Sequence, residues 1–256
     1  MSAVDWRSYY ESKSHDLDEH AATYGSSVPL ASQFYGARWE AVAQAVEASG
    51  TSTRSIEIGC GSGAYMPALR KVTDGLVVAV DLSGGYVRQT VGRAPFAAGV
   101  EGDGARLGFR DGAFDLVLAT EVIEHLERPV TLLDEARRVL RAGGALVLST
   151  PNPIAIHDLM YRVKRRIRGY DVNEHPGLML PWSLRRALTA RGFRIEQWRT
   201  CNFAYPYPVG DLLGKLPRQE ALARATARLE RTLQRAPVVE RMGWTQVVLA
   251  RREGEP

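Results

Sequence analysis

Cysteine is almost absent from the 256-residue sequence: Cys60 and Cys201 are the only two. That excludes a disulfide scaffold and suits a reducing compartment, so a cytoplasmic protein is expected. No run approaches the roughly 18 consecutive apolar residues that a membrane span requires. The opening, Met1-Ser-Ala-Val-Asp-Trp-Arg7, lacks a basic stretch followed by an apolar one, so no signal peptide is expected. There is no internal repeat and no low-complexity tract. Excess charge is also small, at +4, with arginine supplying most of the basic residues. Such a balance permits an anionic partner without demanding one. What is present is ordinary: 45% hydrophobic and 24% charged residues, the make-up of a globular protein. The length suffices for one sizeable core with a small cap, not for two full domains.

Residues 1–36 mix aromatics (Trp6, Tyr9, Tyr10, Tyr24, Phe34, Tyr35) with charges and read as an N-terminal lid, irregular or helical. Between Ala37 and Ala48 the apolar positions Trp39, Val42, Ala43 and Val46 recur at helical spacing. Short apolar runs then follow at Ser55–Ile58, Leu76–Asp81, Phe114–Ala119 and Ala145–Thr150, each bounded by Gly, Asp or Pro. Helical candidates lie between them near 64–72, 84–92 and 130–141. Strands alternating with helices imply an α/β fold, a mostly parallel sheet wound by right-handed crossovers. The core is placed at 37–152. An insert at 153–181 breaks the pattern for longer than an ordinary loop does. Residues 182–256 complete the sheet with a helix at 182–191 and strands at Phe193–Arg199 and Thr245–Arg251. A further helix is expected over Gln219–Gln234, with Leu222, Leu229 and Leu233 on one side.

The first strand ends in Ser55-Ile-Glu-Ile-Gly-Cys-Gly-Ser-Gly-Ala64. Gly59, Gly61 and Gly63 let the backbone turn sharply against a ligand, and the next helix aims its N-terminus at the same place. By itself this loop also satisfies the dinucleotide pattern, with Ala64 last. Three carboxylates narrow the choice. Glu57, two residues before Gly59, sits badly beside a pyrophosphate but suits a ligand carrying an ammonium and a sulfonium. Asp81 closes the second strand, where an acid can accept both ribose hydroxyls. Asp103, in Gly102-Asp103-Gly104 ahead of the fourth strand, can accept from an adenine amino group. Cys60 has no general base placed beside it by sequence and reads as a small loop residue offering a backbone contact.

These residues resemble the class I S-adenosylmethionine-dependent methyltransferases, most closely over residues 50–152. The resemblance implies a Rossmann-like, seven-strand, mostly parallel sheet with helices on both faces. It also implies S-adenosylmethionine as cofactor, held by Glu57, Gly59, Cys60, Gly61 and Gly63, by Asp81 with Leu82, by Asp103 with Gly104 and Ala105, and by Thr120 and Glu121.

After the fourth strand comes Thr120-Glu-Val-Ile-Glu-His-Leu126. If it opens a helix, Glu121, Glu124 and His125 share one face at the carboxyl end of the sheet. Two carboxylates and an imidazole suit Mg²⁺, Mn²⁺ or Zn²⁺, and His175 of Asn173-Glu-His-Pro-Gly177 is the candidate fourth ligand. Glu121-Val-Ile-Glu-His125, then Ser149-Thr-Pro-Asn152 and a later His, resembles the ubiquinone-biosynthesis O-methyltransferases and the 3′-terminal small-RNA 2′-O-methyltransferases. In the latter a Glu-x-x-Glu-His set plus a downstream His binds a divalent ion. That resemblance makes Glu121, Glu124, His125 and His175 metal ligands, with an ion that acidifies and aims an acceptor hydroxyl. Without metal, His125 and Glu124 act as general base. In the bland reading, Glu121 touches the cofactor backbone while Glu124 and His125 merely cap and pack the helix.

In the insert, Ile156, Leu159, Met160, Val163 and Ile167 form an apolar stripe opposite Arg162, Lys164, Arg165, Arg166 and Arg168. Three readings stand: an acceptor lid with solvated charges, a peripheral membrane contact through 154–168, or an RNA contact. The segment Asn202-Phe-Ala-Tyr-Pro-Tyr-Pro-Val209 could line an aromatic or lipid-like acceptor pocket or pack the core. The expected reaction is methyl transfer to a hydroxyl of a small molecule: a secondary metabolite, a sugar or a quinone-like acceptor. Transfer to nitrogen or carbon and RNA 2′-O-methylation are the alternatives. The chain lacks the extra recognition domain expected for RNA ends, which argues against nucleic acid. A nicotinamide-dependent oxidoreductase would call for a Tyr-x-x-x-Lys pair, and Tyr161-Arg-Val-Lys164 has the wrong spacing.

Overall fold

The computed structural model describes residues 8, 11, 29–155, 175–203, 224–226, 228, 229, 232 and 242–254. The basic stripe over 156–168, the Tyr161–Lys164 pair, the aromatic run 204–209 and most of 1–28 and 219–234 lie outside them.

Two runs of consecutive apolar residues, Val77–Val80 and Leu116–Ala119, dictate the architecture, because strands covered on both faces need no alternation. They lie at the centre of a seven-strand sheet. The strands are β1 (Ser52–Ile58), β2 (Thr73–Asp81), β3 (Ala97–Glu101), β4 (Phe114–Thr120), β5 (Leu140–Pro151), β6 (Phe193–Cys201) and β7 (Thr245–Arg252). Their order is β3-β2-β1-β4-β5-β7-β6. The β1–β2, β1–β4, β2–β3 and β4–β5 pairs are parallel, and β7 is antiparallel to both β5 and β6. The expected Rossmann-like sheet is therefore the observed one. Strand β3 carries little apolar signal, since four of its five residues are exposed.

Among the described residues, five helices clothe the sheet: α1 (Pro29–Ala48), α2 (Met66–Val72), α3 (Gly84–Arg93), α4 (Val130–Val139) and α5 (Pro181–Thr189). One face packs Ile56, Ile58, Val117, Leu146 and Leu148 against Leu132, Leu133 and Ala136 of α4 and Leu184 and Leu188 of α5. The other packs Val77, Ala79, Leu116, Leu118 and Val147 against Val42 and Val46 of α1 and Met66 and Leu69 of α2. Helix α1 starts at Pro29, so residues 29–36 belong to the same helix whose later turns enter the core. The helix expected at 219–234 is seen as helical residues at 224–226, 228, 229 and 232. No described helix is long and apolar enough to cross a membrane.

The strand order reverses between β1 and β4, which opens a crevice beyond their carboxyl ends. The loop leading from β3 to β4 is held by one side chain. Arg138 of α4 donates to the carbonyls of Phe109 and Leu107 and to Glu135 and Asp111, while Glu135 also accepts from the Leu107 N–H. The Arg138 hydrogen bonds hold the Glu135 carboxyl below its usual range.

Arg138→Met should lower stability by about 1–3 kcal/mol in urea unfolding at pH 7. A depressed folded-state pKa contributes stability above the unfolded value of about 4 and loses it as pH falls through the folded value. The difference between wild type and variant should therefore shrink below about pH 4.

Candidate active site

All three loop glycines have positive φ: +71° at Gly59, +48° at Gly61 and +80° at Gly63. A Cβ at Gly59 would fall 2.3 Å from Val122 Cγ2, so the loop can lie against the end of β4 only without side chains. The N–H groups of Gly59 and Cys60 donate to the Val80 carbonyl at 2.8 and 2.9 Å, tying the loop to β2. Trp39 of α1 closes it from outside, its indole N–H donating to the Ala64 carbonyl at 3.0 Å.

Beneath this loop lie two buried acids. Glu57 pairs in register with Ala79, which places its side chain on the same sheet face as Asp81. Glu57 is wholly buried, and neither carboxylate oxygen has a hydrogen-bond partner. Burial first, then the charge of Asp81, pushes its carboxyl well above the usual range. Asp81 is differently served: Oδ2 accepts from the Gly61 N–H and Oδ1 from the Ser83 N–H, both at 2.9 Å. Its pKa is raised by burial, an effect these backbone bonds partly offset. Each Asp81 oxygen keeps lone-pair capacity for a further donor. Leu82 follows, half-buried, in the turn into α3. Asp103 is exposed and accepts from the Ala105 N–H at 2.8 Å, while Gly104 packs its backbone toward Ile58. Cys60 is buried, and burial, then Asp81, then Glu57 push its thiol far up, consistent with a loop residue and not a nucleophile.

At the end of β4 the structure departs from expectation. Thr120 is the last strand residue, Glu121 has φ +53°, and only Ile123–His125 form a single 3₁₀ turn. No helix puts Glu121, Glu124 and His125 on one face; the left-handed residue turns Glu121 away. Its carboxylate meets Arg38 of α1 at 3.0 Å and accepts from the Ser149 hydroxyl at 2.8 Å. Glu121 therefore stands outside the ligand cluster anticipated for it.

Glu124, His125 and His175 do come together. One ligand atom from each lies within 4.8 Å of the others. The two imidazole centroids are 4.9 Å apart, inclined at 66°. Glu124 is buried and accepts from the Thr150 hydroxyl at 3.1 Å. Burial first, and then Glu121, push its carboxyl well above the usual range, against the pull of Thr150 and Arg38. The Pro176-Gly177 turn explains how His175 reaches this point. The Gly177 N–H donates to the Glu124 carbonyl at 2.8 Å, and a Cβ on Gly177 would lie 2.2 Å from the Leu126 carbonyl oxygen and 2.7 Å from that of Ile123. Only glycine lets the turn sit so close. Arg38, Thr150 and Gly177 were not picked out as site residues from sequence. Thr150 and Gly177 stand inside motifs that were, whereas Arg38 carries no local signal.

Residues 56–148 match a family model described as a methyltransferase domain. A probable S-adenosylmethionine-dependent methyltransferase of Mycobacterium tuberculosis (strain ATCC 25618 / H37Rv) is 34% identical over 117 residues, 46% of this chain and 42% of the relative. The 27-O-demethylrifamycin SV methyltransferase of Amycolatopsis mediterranei (strain S699) is 32% identical over 129 residues, 45% of this chain and 46% of the relative. The matches thus span under half the length of these relatives. Among solved structures, an S-adenosylmethionine-dependent methyltransferase of Thermotoga maritima superposes with TM-score 0.62 at 16% identity, covering 94% of this chain and 98% of that one. That likeness is one of fold.

The raised carboxyl of Glu57 gives a signed pH dependence. A raised folded-state pKa contributes stability to the ligand-free protein below the unfolded value, and this is lost as pH rises through the folded value. Binding of an ammonium-bearing ligand favours the ionised form, so the affinity for S-adenosylhomocysteine should strengthen over the same rise. Glu57→Gln should flatten both profiles, raise the melting temperature above neutral pH and weaken that ligand about tenfold or more. Calorimetric titrations across pH 5–9, paired with thermal melts, read both effects.

Proposed function

We propose that this chain is an S-adenosylmethionine-dependent methyltransferase that transfers the methyl group to a hydroxyl of a small molecule, with Glu124, His125 and His175 handling the hydroxyl. The observation that carries the reading is the Glu57 carboxylate, buried with both oxygens unpartnered on the face it shares with Asp81. An isolated buried carboxylate is costly, and a cation arriving with the ligand offsets that cost. The ammonium of the cofactor's methionine end is such a cation. Asp81, already fixed by two backbone N–H groups, has acceptor capacity left for the ribose hydroxyls. Asp103 is proposed for the adenine amino group. The methyltransferase-domain match over 56–148 and the shared fold support the same cofactor.

When bound, the cofactor supplies an electrophilic methyl on a positive sulfur. The chain's own task is to bring a nucleophile in line with it and remove that nucleophile's proton. His125 and His175, half-buried at the carboxyl end of the sheet, offer bases to a hydroxyl there. Glu124, oriented by Thr150, can stabilise an imidazolium beside it. The same three donors fit a divalent cation with borderline affinity for nitrogen and oxygen, such as Zn²⁺ or Mn²⁺. Held there, an ion would lower the hydroxyl pKa, with open positions left for the acceptor. Transfer to oxygen is favoured by this cluster of bases, and a relative named for a 27-O-demethyl acceptor accords with it.

Calorimetry should give saturable binding of S-adenosylhomocysteine and none of NAD; binding of NAD alone would end the reading. Elemental analysis of pure protein tests the ion, with about one metal per chain expected and turnover lost on chelation. His175→Ala should reduce metal retention and turnover together. Gly177→Ala should do the same, because its Cβ would push the turn off the Ile123 and Leu126 carbonyls. A metal-free wild type that turns over normally would instead leave the histidines as general bases.

A further inference from the structure

Glu11 lies far from the core in sequence, yet its carboxylate reaches the head of α3. The Ser83 hydroxyl donates to Glu11 Oε2 at 2.5 Å, and the Gly85 N–H approaches the same oxygen at 3.4 Å. Arg88 lies 3.6 Å from Oε1. The N-terminus of α3 and the Arg88 guanidinium both favour a carboxylate here. Asp81 is two residues from Ser83, and the Glu11 charge acts to raise its pKa, so the two acids repel. Specific donors must overcome the repulsion from Asp81, and the shortest of them, the Ser83 hydroxyl, sits on a residue that orients Asp81.

Besides its carbonyl, which accepts from the Val87 N–H at 3.2 Å, Ser83 makes three hydrogen bonds, each with a different group. Its N–H donates to Asp81 Oδ1 at 2.9 Å. Its hydroxyl oxygen accepts from the Tyr86 N–H at 3.3 Å, capping α3. The single hydroxyl proton goes to Glu11. With that proton fixed, the oxygen's lone pairs face the helix, and the backbone of Ser83 is held where its N–H meets Asp81. The Gly61 N–H fixes the other Asp81 oxygen at 2.9 Å. A continuous chain thus runs from Glu11 through Ser83 and Asp81 to the glycine loop. Helix α1 has its own anchors, where Arg38 meets Glu121 and Trp39 meets Ala64 of the glycine loop.

We propose that Glu11 is a positioning residue that latches Ser83, holding Asp81 ready for the cofactor ribose and slowing the cofactor's dissociation. The proposal rests on the methyltransferase reading above. Glu11 touches no reacting atom; it acts through Ser83. Because its side chain is 37% exposed, the latch adds little to the stability of the ligand-free fold. Its effect belongs to cofactor binding.

The test uses the full chain, with S-adenosylhomocysteine as probe in calorimetry and stopped-flow displacement. Glu11→Ala should weaken binding about tenfold, mostly through faster dissociation, with the ligand-free melting temperature unchanged. Glu11→Gln, which keeps a hydrogen-bond acceptor but not the charge, should fall between the two. Ser83→Ala should weaken binding too, and adding Glu11→Ala to it should cost no more, since both remove one chain of contacts. If wild type binds and Glu11→Ala and Glu11→Gln match it in affinity and dissociation rate, the latch is wrong while the methyltransferase reading stands. If wild type itself does not bind the probe, both fall.

Discussion

A carboxylate with no partner, sealed beneath a glycine loop, is the feature on which the proposed chemistry depends. Glu57 is placed there by β1, whose alternation turns its side chain to the face covered by α1 and α2. The parallel neighbours β2 and β4 then supply only Ala79 and Leu118 beside it, so the sheet itself offers no donor. Asp81 adds a second negative charge on the same face. The surrounding apolar core makes both charges expensive to hold. Such an arrangement favours whatever positive ligand fits the crevice, and the loop glycines keep the space for it open.

The second half of the crevice is organised by backbone and not by charge. The left-handed Glu121 ends β4 and throws its own carboxylate toward Arg38 and Ser149. The following 3₁₀ turn then exposes its carbonyls to Gly177, and that contact carries His175 to His125. Two histidines fifty residues apart in sequence thereby become neighbours through one glycine. The buried acid beside them accepts from Thr150 on β5, which connects the histidine pair to the middle of the sheet.

Much of this was legible in the sequence, and the reasons differ by element. Strands β1, β2, β4 and β5 each carry a short apolar run bounded by Gly, Asp or Pro, which buried parallel strands need and which a sequence displays. Strand β3 does not, since its residues are mostly exposed at the sheet edge. The glycine loop with Glu57 and Asp81 was readable because the spacing is local. The placement of Glu121 with Glu124 and His125 on a helix was not borne out, because one positive φ, invisible in a residue type that seldom adopts it, separates them. His175 was singled out by its place in the insert and by the resemblance to a motif with a downstream His; what fixes it is a tertiary contact of Gly177. Arg38 and Glu11 were missed outright. Each is one charged residue among many, and only the fold brings it to a carboxylate or a hydroxyl.

The most direct measurement is a crystal structure of the protein with S-adenosylhomocysteine. The amino group of the ligand should lie about 3 Å from Glu57, or one water away from it, with the ribose hydroxyls on Asp81. A ligand bound elsewhere, with Glu57 still sealed and unpartnered, would contradict the role of that buried charge in holding the cofactor.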